Sequence, residues 1–325
     1  MTDITIKIDG KEIKTQKDRF VLDIARENGI EIPAICYDPS LDAFGGCRLC
    51  IVEITKNGRS KIETSCSARA GDGMEVKTQT EELKEKRRNI LQLLLDSHPN
   101  DCLTCQKAGT CLLQKYAYEY DVKFRDHDGA KREEKYDLSS PYIYKDNSKC
   151  ILCGKCVQIC RQVEERAILS FADRGYDSYI ACDLGEDFAH SYCVSCNRCV
   201  SICPVGALVD RRLMGKIRNF EGETKEVKCK VCDYGCDFNL HSKDGKNLAV
   251  TAKKPGNGRP LCLKGRMMTE LMFLDNPDKP YMKGAGEFKE TNWMTVTGLN
   301  NVYKKIEKIE DKGEWYESHN KWFWI

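Results

Sequence analysis

The chain opens with a short alternation of apolar and polar residues. Ile4, Ile6 and Ile8 alternate with polar neighbours, and the turn signal Asp9-Gly10 separates them from Ile13, where the pattern resumes. Alternation with a period of two predicts strands that bury one face, and Asp-Gly between two such strands predicts a hairpin.

The pattern then changes to that of a helix. Apolar residues recur at helical spacing from Phe20 to Asn28, and Gly29 is a plausible helix stop. A β-rich run follows from Ile51 to Thr55. A hairpin, a helix and further strands together predict a small α+β unit over residues 1–80.

A longer amphipathic segment runs from Glu81 to Asp96, and Pro99 follows it. Helical spacing and acidic residues in the first turn predict a helix, and its broad apolar face is formed by Leu83, Ile90, Leu91, Leu94 and Leu95. The charged stretch of residues 121–137 reads as an exposed linker.

Charge and apolar content exclude two classes of protein. The 52 basic and 50 acidic residues balance to a net charge of +2, which argues against a nucleic-acid partner. The apolar run Ile90–Leu95 is far too short to span a bilayer. Because the N-terminus also lacks the regions of a secretory signal, we expect a cytoplasmic protein without a membrane span.

Twenty cysteines are the most informative part of the composition. In a small secreted protein they would indicate disulfides, but this chain is long and groups its cysteines at gaps of two and three residues. Nineteen of them and one histidine sort into five groups of four, which is the ligand count of one iron–sulfur cluster per group. Cys182 is left over, and we expect a non-ligand thiol.

The first two groups each leave a zinc site open as an alternative. The first group lies in the later loops of the α+β unit, and Gly45-Gly46 before its second member would let the backbone curl around a cluster. The second group, within residues 81–120, combines one histidine with three cysteines. Their members are Cys36, Cys47, Cys50 and Cys66, and then His98, Cys102, Cys105 and Cys111.

The third and fourth groups arise from an internal repeat in residues 138–215. The run Cys-x2-Cys-x2-Cys-x3-Cys occurs twice, as in bacterial two-cluster ferredoxins, where the fourth cysteine of each run serves the other cluster. The predicted ligand sets are therefore Cys150, Cys153, Cys156 and Cys203 for one [4Fe–4S] cluster, and Cys193, Cys196, Cys199 and Cys160 for the other.

The fifth group lies in a segment predicted for residues 222–280. It consists of Cys229, Cys232, Cys236 and, after a long gap, Cys262. Spacing alone allows zinc or an iron–sulfur cluster.

Several strings resemble one known family. Ile32-Pro33-Ala34-Ile35-Cys36-Tyr37, the string from Gly45 to Glu53 and the string from His98 to Cys105 resemble the large iron–sulfur subunit of respiratory complex I. The same module opens NAD-linked formate dehydrogenase and [FeFe]-hydrogenase subunits. The resemblance implies a [2Fe–2S] cluster in the first group and a [4Fe–4S] cluster in the second.

The string Arg259–Arg266 resembles the start of molybdenum or tungsten bis-pterin oxidoreductases. That resemblance implies a [4Fe–4S] cluster in the fifth group, with Lys264 at the position of a lysine between cluster and pterin. Members of that family continue well beyond this point, whereas this sequence stops at Ile325. We therefore expect residues 281–325 to be a truncated tail and no pterin or flavin on this chain.

The predicted fold is an α+β, multi-domain iron–sulfur protein. It comprises a β-grasp [2Fe–2S] ferredoxin domain, a helical segment with a one-histidine, three-cysteine site, a bacterial two-cluster ferredoxin domain and a small Mo/W-type [4Fe–4S] domain. No Rossmann fingerprint or P-loop is present, so we expect no nucleotide on this chain.

The favoured functional hypothesis is an electron-transfer subunit with five clusters and no catalytic centre of its own. By resemblance, its partners are a flavin- and NAD(H)-binding subunit and a thioredoxin-like [2Fe–2S] subunit, with ferredoxin and a separate catalytic subunit as further partners. The alternatives are the N-terminal part of a split or truncated NAD-dependent formate dehydrogenase, the large iron–sulfur subunit of complex I proper, and a zinc-based scaffold.

Overall fold

The computed structural model describes residues 3–125, 135–232, 234–254, 258–271, 280–284, 287–297, 299–300 and 304. The chain divides into two units, Met1–Arg266 and Met267–Ile325. All five predicted ligand groups lie in the first unit.

The N-terminal segment is a mixed five-stranded sheet with one helix, as the α+β pattern predicts. Strands β1 and β5 are parallel and the other neighbours are antiparallel, in the order β2-β1-β5-β3-β4. The elements are β1 (Asp3–Ile8), β2 (Lys11–Gln16), α1 (Val21–Glu27), β3 (Ile51–Lys56), β4 (Arg59–Thr64) and β5 (Glu75–Lys77).

Two helices follow the sheet, α2 (Glu81–Asp96) and α3 (Leu112–Glu119). The first has the predicted bounds, and the Thr80 side chain caps it by accepting a hydrogen bond from the Leu83 amide. Its buried stripe differs from the predicted face, because Arg87 is buried within it, whereas Ile90 and Leu94 are only partly buried.

The repeat region is built from short elements around its cysteine loops. Helix α4 continues as a π-helical turn, Ile159–Val163, that carries Cys160. The elements are β6 (Tyr136–Asp137), β7 (Ile143–Asp146), α4 (Lys155–Gln158), β8 (Leu169–Ala172), β9 (Tyr179–Cys182), α5 (Arg198–Ile202) and β10 (Leu208–Asp210). They form the sheets β10-β7-β6 and β8-β9. Most of the predicted linker, residues 126–134, lies outside the described residues.

The first unit ends with an antiparallel sheet and a helical turn. These are β11 (Glu223–Lys228), β12 (Asp237–Lys243), β13 (Lys246–Ala252) and α6 (Leu263–Arg266). The second unit contains α7 (Met268–Leu271), the hairpin β14 (Tyr281–Gly284) and β15 (Glu287–Glu290), and α8 (Trp293–Val296). Beyond Lys304 the predicted tail lies outside the described residues.

In the described part of the first unit, most of the buried apolar residues belong to two large cores. One fills the space between the N-terminal sheet and α1. The other joins α2, α3 and the repeat region, and it also contains Ile35 and Leu49 from the cysteine loops of the N-terminal segment. The cysteine loops of three predicted segments therefore pack around one shared core. Within the described ranges, no helix combines the length and apolar character needed to cross a lipid bilayer.

Candidate metal centres

The first set, Cys36, Cys47, Cys50 and Cys66, consists of two pairs of hydrogen-bonded thiols. Cys36 pairs with Cys47, and Cys50 pairs with Cys66. Because the thiols of each pair share a hydrogen bond, the pKa values of Cys47 and Cys50 are lowered and those of Cys36 and Cys66 are raised. Each pair therefore provides one thiolate readily, which is the form that binds iron.

The loop of the first set folds as its glycines suggest. Gly45 and Arg48 have positive φ angles of 66° and 57°, so the chain turns sharply on both sides of Cys47. The backbone amide of Leu49 donates to the Cys47 sulfur and also lowers the pKa of this thiol. Amide donors of this kind stabilise negative charge on sulfur.

The second set is defined by an imidazole with one free nitrogen. The Nδ1 of His98 lies 3.1 Å from the carbonyl oxygen of Pro99, which assigns the ring proton to Nδ1 because a carbonyl can only accept. The Nε2 is buried and has no hydrogen-bond partner. Burial lowers the pKa of His98, so the ring is neutral and Nε2 presents a lone pair suited to a metal.

The three cysteines of the second set lie in the loops between α2 and α3. Cys105 is buried, whereas Cys102 and Cys111 are partly buried, and burial raises the pKa of the latter two thiols. The amide of Gln114 donates to the Cys111 sulfur at 3.5 Å. These contacts are compatible with a site of one imidazole and three thiolates.

The third and fourth sets line two separate cavities. The wall of one contains Cys150, Cys153, Cys156 and Cys203. The wall of the other contains Cys160, Cys193, Cys196 and Cys199. The structure therefore brings together the exchanged sets that the repeat predicts, with the fourth cysteine of each run beside the other three-cysteine loop.

The repeat is also visible in the backbone. Leu152 and Ser195, at equivalent positions of the two runs, both have positive φ, and so do Gly154 and Asn197. In each run the first sulfur accepts an amide hydrogen bond at 3.4 Å, from Leu152 in one and Ser195 in the other. Positive φ at non-glycine residues is costly and clusters at functional sites, so this shared geometry supports a shared function.

Desolvation is the main cause of the raised pKa values of two thiols in each cavity. Burial raises the pKa of Cys153 to about 12 and that of Cys196 to about 11, and it raises the pKa of Cys156 and Cys199 strongly. Because metal ligands must be deprotonated, occupation of either cavity by iron releases protons.

The fifth set, Cys229, Cys232, Cys236 and Cys262, lies at the surface of the described residues. The Cys229 amide donates to the Cys236 carbonyl oxygen at 2.7 Å, and the Cys262 sulfur accepts from the Gly265 amide at 3.2 Å. Cys232 and Cys262 are exposed, whereas Cys229 is buried. Lys264, on α6, is also exposed.

Cys182, which we expect not to bind metal, is buried on β9 and lines neither cavity. Burial raises the pKa of its thiol to about 11.

Among the described residues, no group of three or more His, Cys, Asp and Glu side chains has the geometry of a single-ion site. A cluster site differs from such a site, because its four ligands are shared among two or four iron atoms and do not converge on one.

Two buried arginines near the predicted ligands were missed in the sequence: Arg87 bonds to the carbonyl of the residue after Cys50, and Arg198 lines the cavity of the fourth set. Arg87 is fully buried on α2, and Arg198, beside Cys199, is 4% exposed. Arg87 follows Leu83 by four residues and precedes Leu91 by four, so its place in the apolar stripe could have been noticed. For Arg198 we find no signal in the sequence.

Four family descriptions match consecutive parts of the chain. They are the "2Fe-2S iron-sulfur cluster binding domain" (1–81), the "NADH-ubiquinone oxidoreductase-G iron-sulfur binding region" (87–125), the "NADH-quinone oxidoreductase subunit 3, ferredoxin-like domain" (140–209) and the "Molybdopterin oxidoreductase Fe4S4 domain" (223–273). The chain is thus a multi-domain iron–sulfur protein with [2Fe–2S] and [4Fe–4S] domains.

Known proteins are similar to this chain over two thirds of its length or more. The chain is 31% identical to the NADPH-Fe(3+) oxidoreductase subunit alpha of Geobacter sulfurreducens, over 91% of this chain and 34% of that protein. It is 34% identical to the NADP-reducing hydrogenase subunit HndD of Solidesulfovibrio fructosivorans, over 67% of this chain and 38% of that protein. The chain therefore spans well under half the length of these curated relatives.

One solved structure is similar to this chain over most of the solved chain's length. A chain of the NAD+-reducing [NiFe]-hydrogenase in its H2-reduced state matches with a TM-score of 0.61 and 32% identity, over 66% of this chain and 90% of that one. The chain belongs to the family of large iron–sulfur subunits found in complex I, formate dehydrogenases and NAD(P)-linked hydrogenases, as the resemblance in its sequence indicates.

Gly206 provides a test of the second set. A Cβ atom at this position would lie 2.7 Å from the Cys105 sulfur, a distance that forces the ligand to move. We expect Gly206→Ala to lose about four irons per chain, because Cys105 can no longer meet the other three ligands. Iron analysis of anaerobically purified protein measures this loss.

Gly71→Ala is the matched control for this substitution. There the added Cβ would meet only the flexible end of Lys56, at 2.8 Å from Nζ, and this side chain can swing away. Unchanged iron content in both variants would contradict the role given to Gly206.

Proposed function

We propose that the chain is an electron-transfer subunit that holds one [2Fe–2S] and four [4Fe–4S] clusters. Bound clusters would supply one-electron redox chemistry, and the protein would hold and space them and tune their potentials. The observation that carries this proposal is that loops bearing the first, second, third, fourth and fifth ligand sets contact one another within one folded unit.

The first set fits two irons. Its thiols form two close pairs, Cys36 with Cys47 and Cys50 with Cys66, and a [2Fe–2S] cluster requires two thiolates on each iron. The second set fits a [4Fe–4S] cluster with one imidazole ligand, since the free Nε2 of His98 is buried and otherwise unpaired. Replacing one thiolate by a neutral imidazole changes the charge of that site and hence its potential.

The third set lies beside the first two. Phe44, from the loop of the first set, stacks on Phe171 with ring centroids 5.7 Å apart, and a Cβ at Gly154 would lie 3.3 Å from each ring. On another side, the Leu112 amide donates to the Pro204 carbonyl oxygen at 2.9 Å. Leu112 follows a ligand of the second set and Pro204 follows a ligand of the third.

The contacts continue from the third set to the fifth. Cys156 and Cys199, from the two cavities, belong to the same core. The Leu261 amide then donates to the Cys196 carbonyl oxygen at 3.0 Å, which connects the residue before Cys262 to the fourth set. In this proposal the third set is a junction, with the first and second sets on one side and the fourth and fifth on the other.

The partners follow from the relatives and remain part of the proposal. The relatives are subunits of NAD(P)-linked enzymes by name, so the first set is proposed to exchange electrons with a flavin- and NAD(H)-binding subunit. We include a thioredoxin-like [2Fe–2S] subunit, ferredoxin and a separate catalytic subunit as further partners. In the proposal no residue of this chain makes or breaks a substrate bond.

Metal counting after anaerobic purification with native partners tests the proposal. We expect about eighteen irons per chain, two from the first set and four from each other set, and we expect NADH to reduce them when the partner is present. Zinc in place of iron would refute the electron-transfer function.

A second candidate is the cluster-bearing part of a formate dehydrogenase. It is favoured by the match of residues 223–273 to the molybdopterin oxidoreductase description and by Lys264, whose exposed ammonium could approach a pterin held elsewhere. Molybdenum or tungsten in the purified complex would favour this candidate, and iron without either metal would favour the first.

A further inference from the structure

Arg87 is a fully buried cation in the apolar stripe of α2. Its side chain is 0% exposed and stands one helical turn from Leu83 and from Leu91. Nη2 donates to the Ile51 carbonyl oxygen at 2.6 Å, and Nη1 donates to the Tyr120 hydroxyl at 3.2 Å. The buried Nε has no hydrogen-bond partner.

This guanidinium has no carboxylate counter-ion among the described residues. None of their ion pairs within 4.0 Å involves Arg87, although its neighbours Lys84 and Lys86 both pair with glutamates. Burial raises the pKa of Tyr120, so the phenol is neutral and cannot balance the charge. A buried charge is costly unless something of opposite sign lies nearby.

The first set, with its thiolates and the cluster that they would hold, is the source of negative charge that matches Arg87. Ile51, which accepts from Arg87, directly follows Cys50 and begins β3, and β3 pairs with β4, which ends at Thr64 just before Cys66. The guanidinium therefore contacts β3, which begins directly after Cys50. Strand β3 pairs in turn with β4, which leads to Cys66.

We propose that Arg87 raises the reduction potential of the cluster held by the first set. This inference rests on the proposed function, since it requires a [2Fe–2S] cluster at that site. Reduction adds one negative charge to a cluster that is already negative. A buried cation stabilises the reduced form more than the oxidised form, because low local polarity strengthens the attraction and water screens it little.

A redox titration of this chain with its clusters bound, monitored by the electron paramagnetic resonance signal of the [2Fe–2S] cluster, tests the proposal. We expect Arg87→Gln, which keeps an amide donor but loses the charge, to lower the equilibrium constant for reduction at least tenfold. For a one-electron couple this is a shift of about 59 mV to more negative potential. Arg87→Lys should retain most of the wild-type potential.

The adjacent Arg88 supplies the matched control because it is exposed on the same helix. Arg88→Gln removes the same charge where water and salt screen it, so its shift should be much smaller. Equal shifts in Arg87→Gln and Arg88→Gln, with full cluster content in both, would overturn the inference and leave the proposed function standing.

Tyr120→Glu provides a second route if Arg87→Gln fails to hold the cluster. It leaves Arg87 in place and sets a carboxylate beside it, so the potential should again become more negative. An unchanged potential in this variant would also overturn the inference. Absence of a [2Fe–2S] signal in the wild-type chain would instead refute the proposed function.

Discussion

Replacing Cys203 with alanine is expected to remove the cluster whose other three ligands are Cys150, Cys153 and Cys156, with a loss of about four irons per chain. The reason is geometric, because Cys203 lines the cavity of the first run although it belongs to the second run in sequence. Cys160→Ala should remove the other cluster, since Cys160 lines the second cavity.

Pairs of substitutions identify which cysteines share a cluster. Cys203→Ala combined with Cys150→Ala should lose no more iron than Cys203→Ala alone, because both changes affect one cluster. Cys203→Ala combined with Cys193→Ala should lose about eight irons, since two clusters are affected. Ligand sets that follow chain order would give the opposite result for these two combinations.

Cys182→Ala is the control for this series. Cys182 is more buried than the eight cysteines of the two cavities, but it lines neither cavity. We expect its iron content to equal that of the wild type, and a loss of iron would show that our ligand sets are incomplete.

Replacing Arg198 with methionine is expected to cause the largest loss of stability, about 3–5 kcal/mol. The guanidinium is 4% exposed and donates to Glu164 at 2.9 Å and to the Lys253 carbonyl oxygen at 2.7 Å. It also donates to the Gly258 carbonyl oxygen. Its removal leaves the carboxylate of Glu164, whose side chain is only 10% exposed, without its ion-pair partner, and it frees the segment that leads to Cys262.

The midpoint of anaerobic guanidinium unfolding, followed by cluster absorbance, measures this effect. Arg198→Met combined with Glu164→Leu separates its two causes. The double variant removes both charges and should recover most of the lost stability, because no charge remains buried and unpaired. If the single and double variants are equally destabilised, the cause is the loss of the Arg198 hydrogen bonds to backbone carbonyls. The unpaired carboxylate of Glu164 would then not be the cause.

The sequence alone determined the local elements and the composition of the candidate ligand groups. Alternation with period two predicted the hairpin of β1 and β2, and helical spacing predicted α2 with the bounds Glu81–Asp96 that the structure has. The two cysteine runs predicted the exchanged sets that line the two cavities. The elements follow from short-range patterns, because periodicity acts within a few residues, whereas the exchange of the fourth ligand was inferred from the known two-cluster ferredoxin motif.

Only the tertiary structure decided how the sets are arranged and which other residues surround them. The third set borders the first and the second, an order that differs from the order along the chain. Gly206 lies against Cys105 from about a hundred residues further along the chain. The contact of Arg87 with Ile51 spans 36 residues, and that of Arg198 with Lys253 spans 55. No local pattern encodes such contacts, because they arise when separately formed segments pack around a shared core and must satisfy the polar groups that they bury.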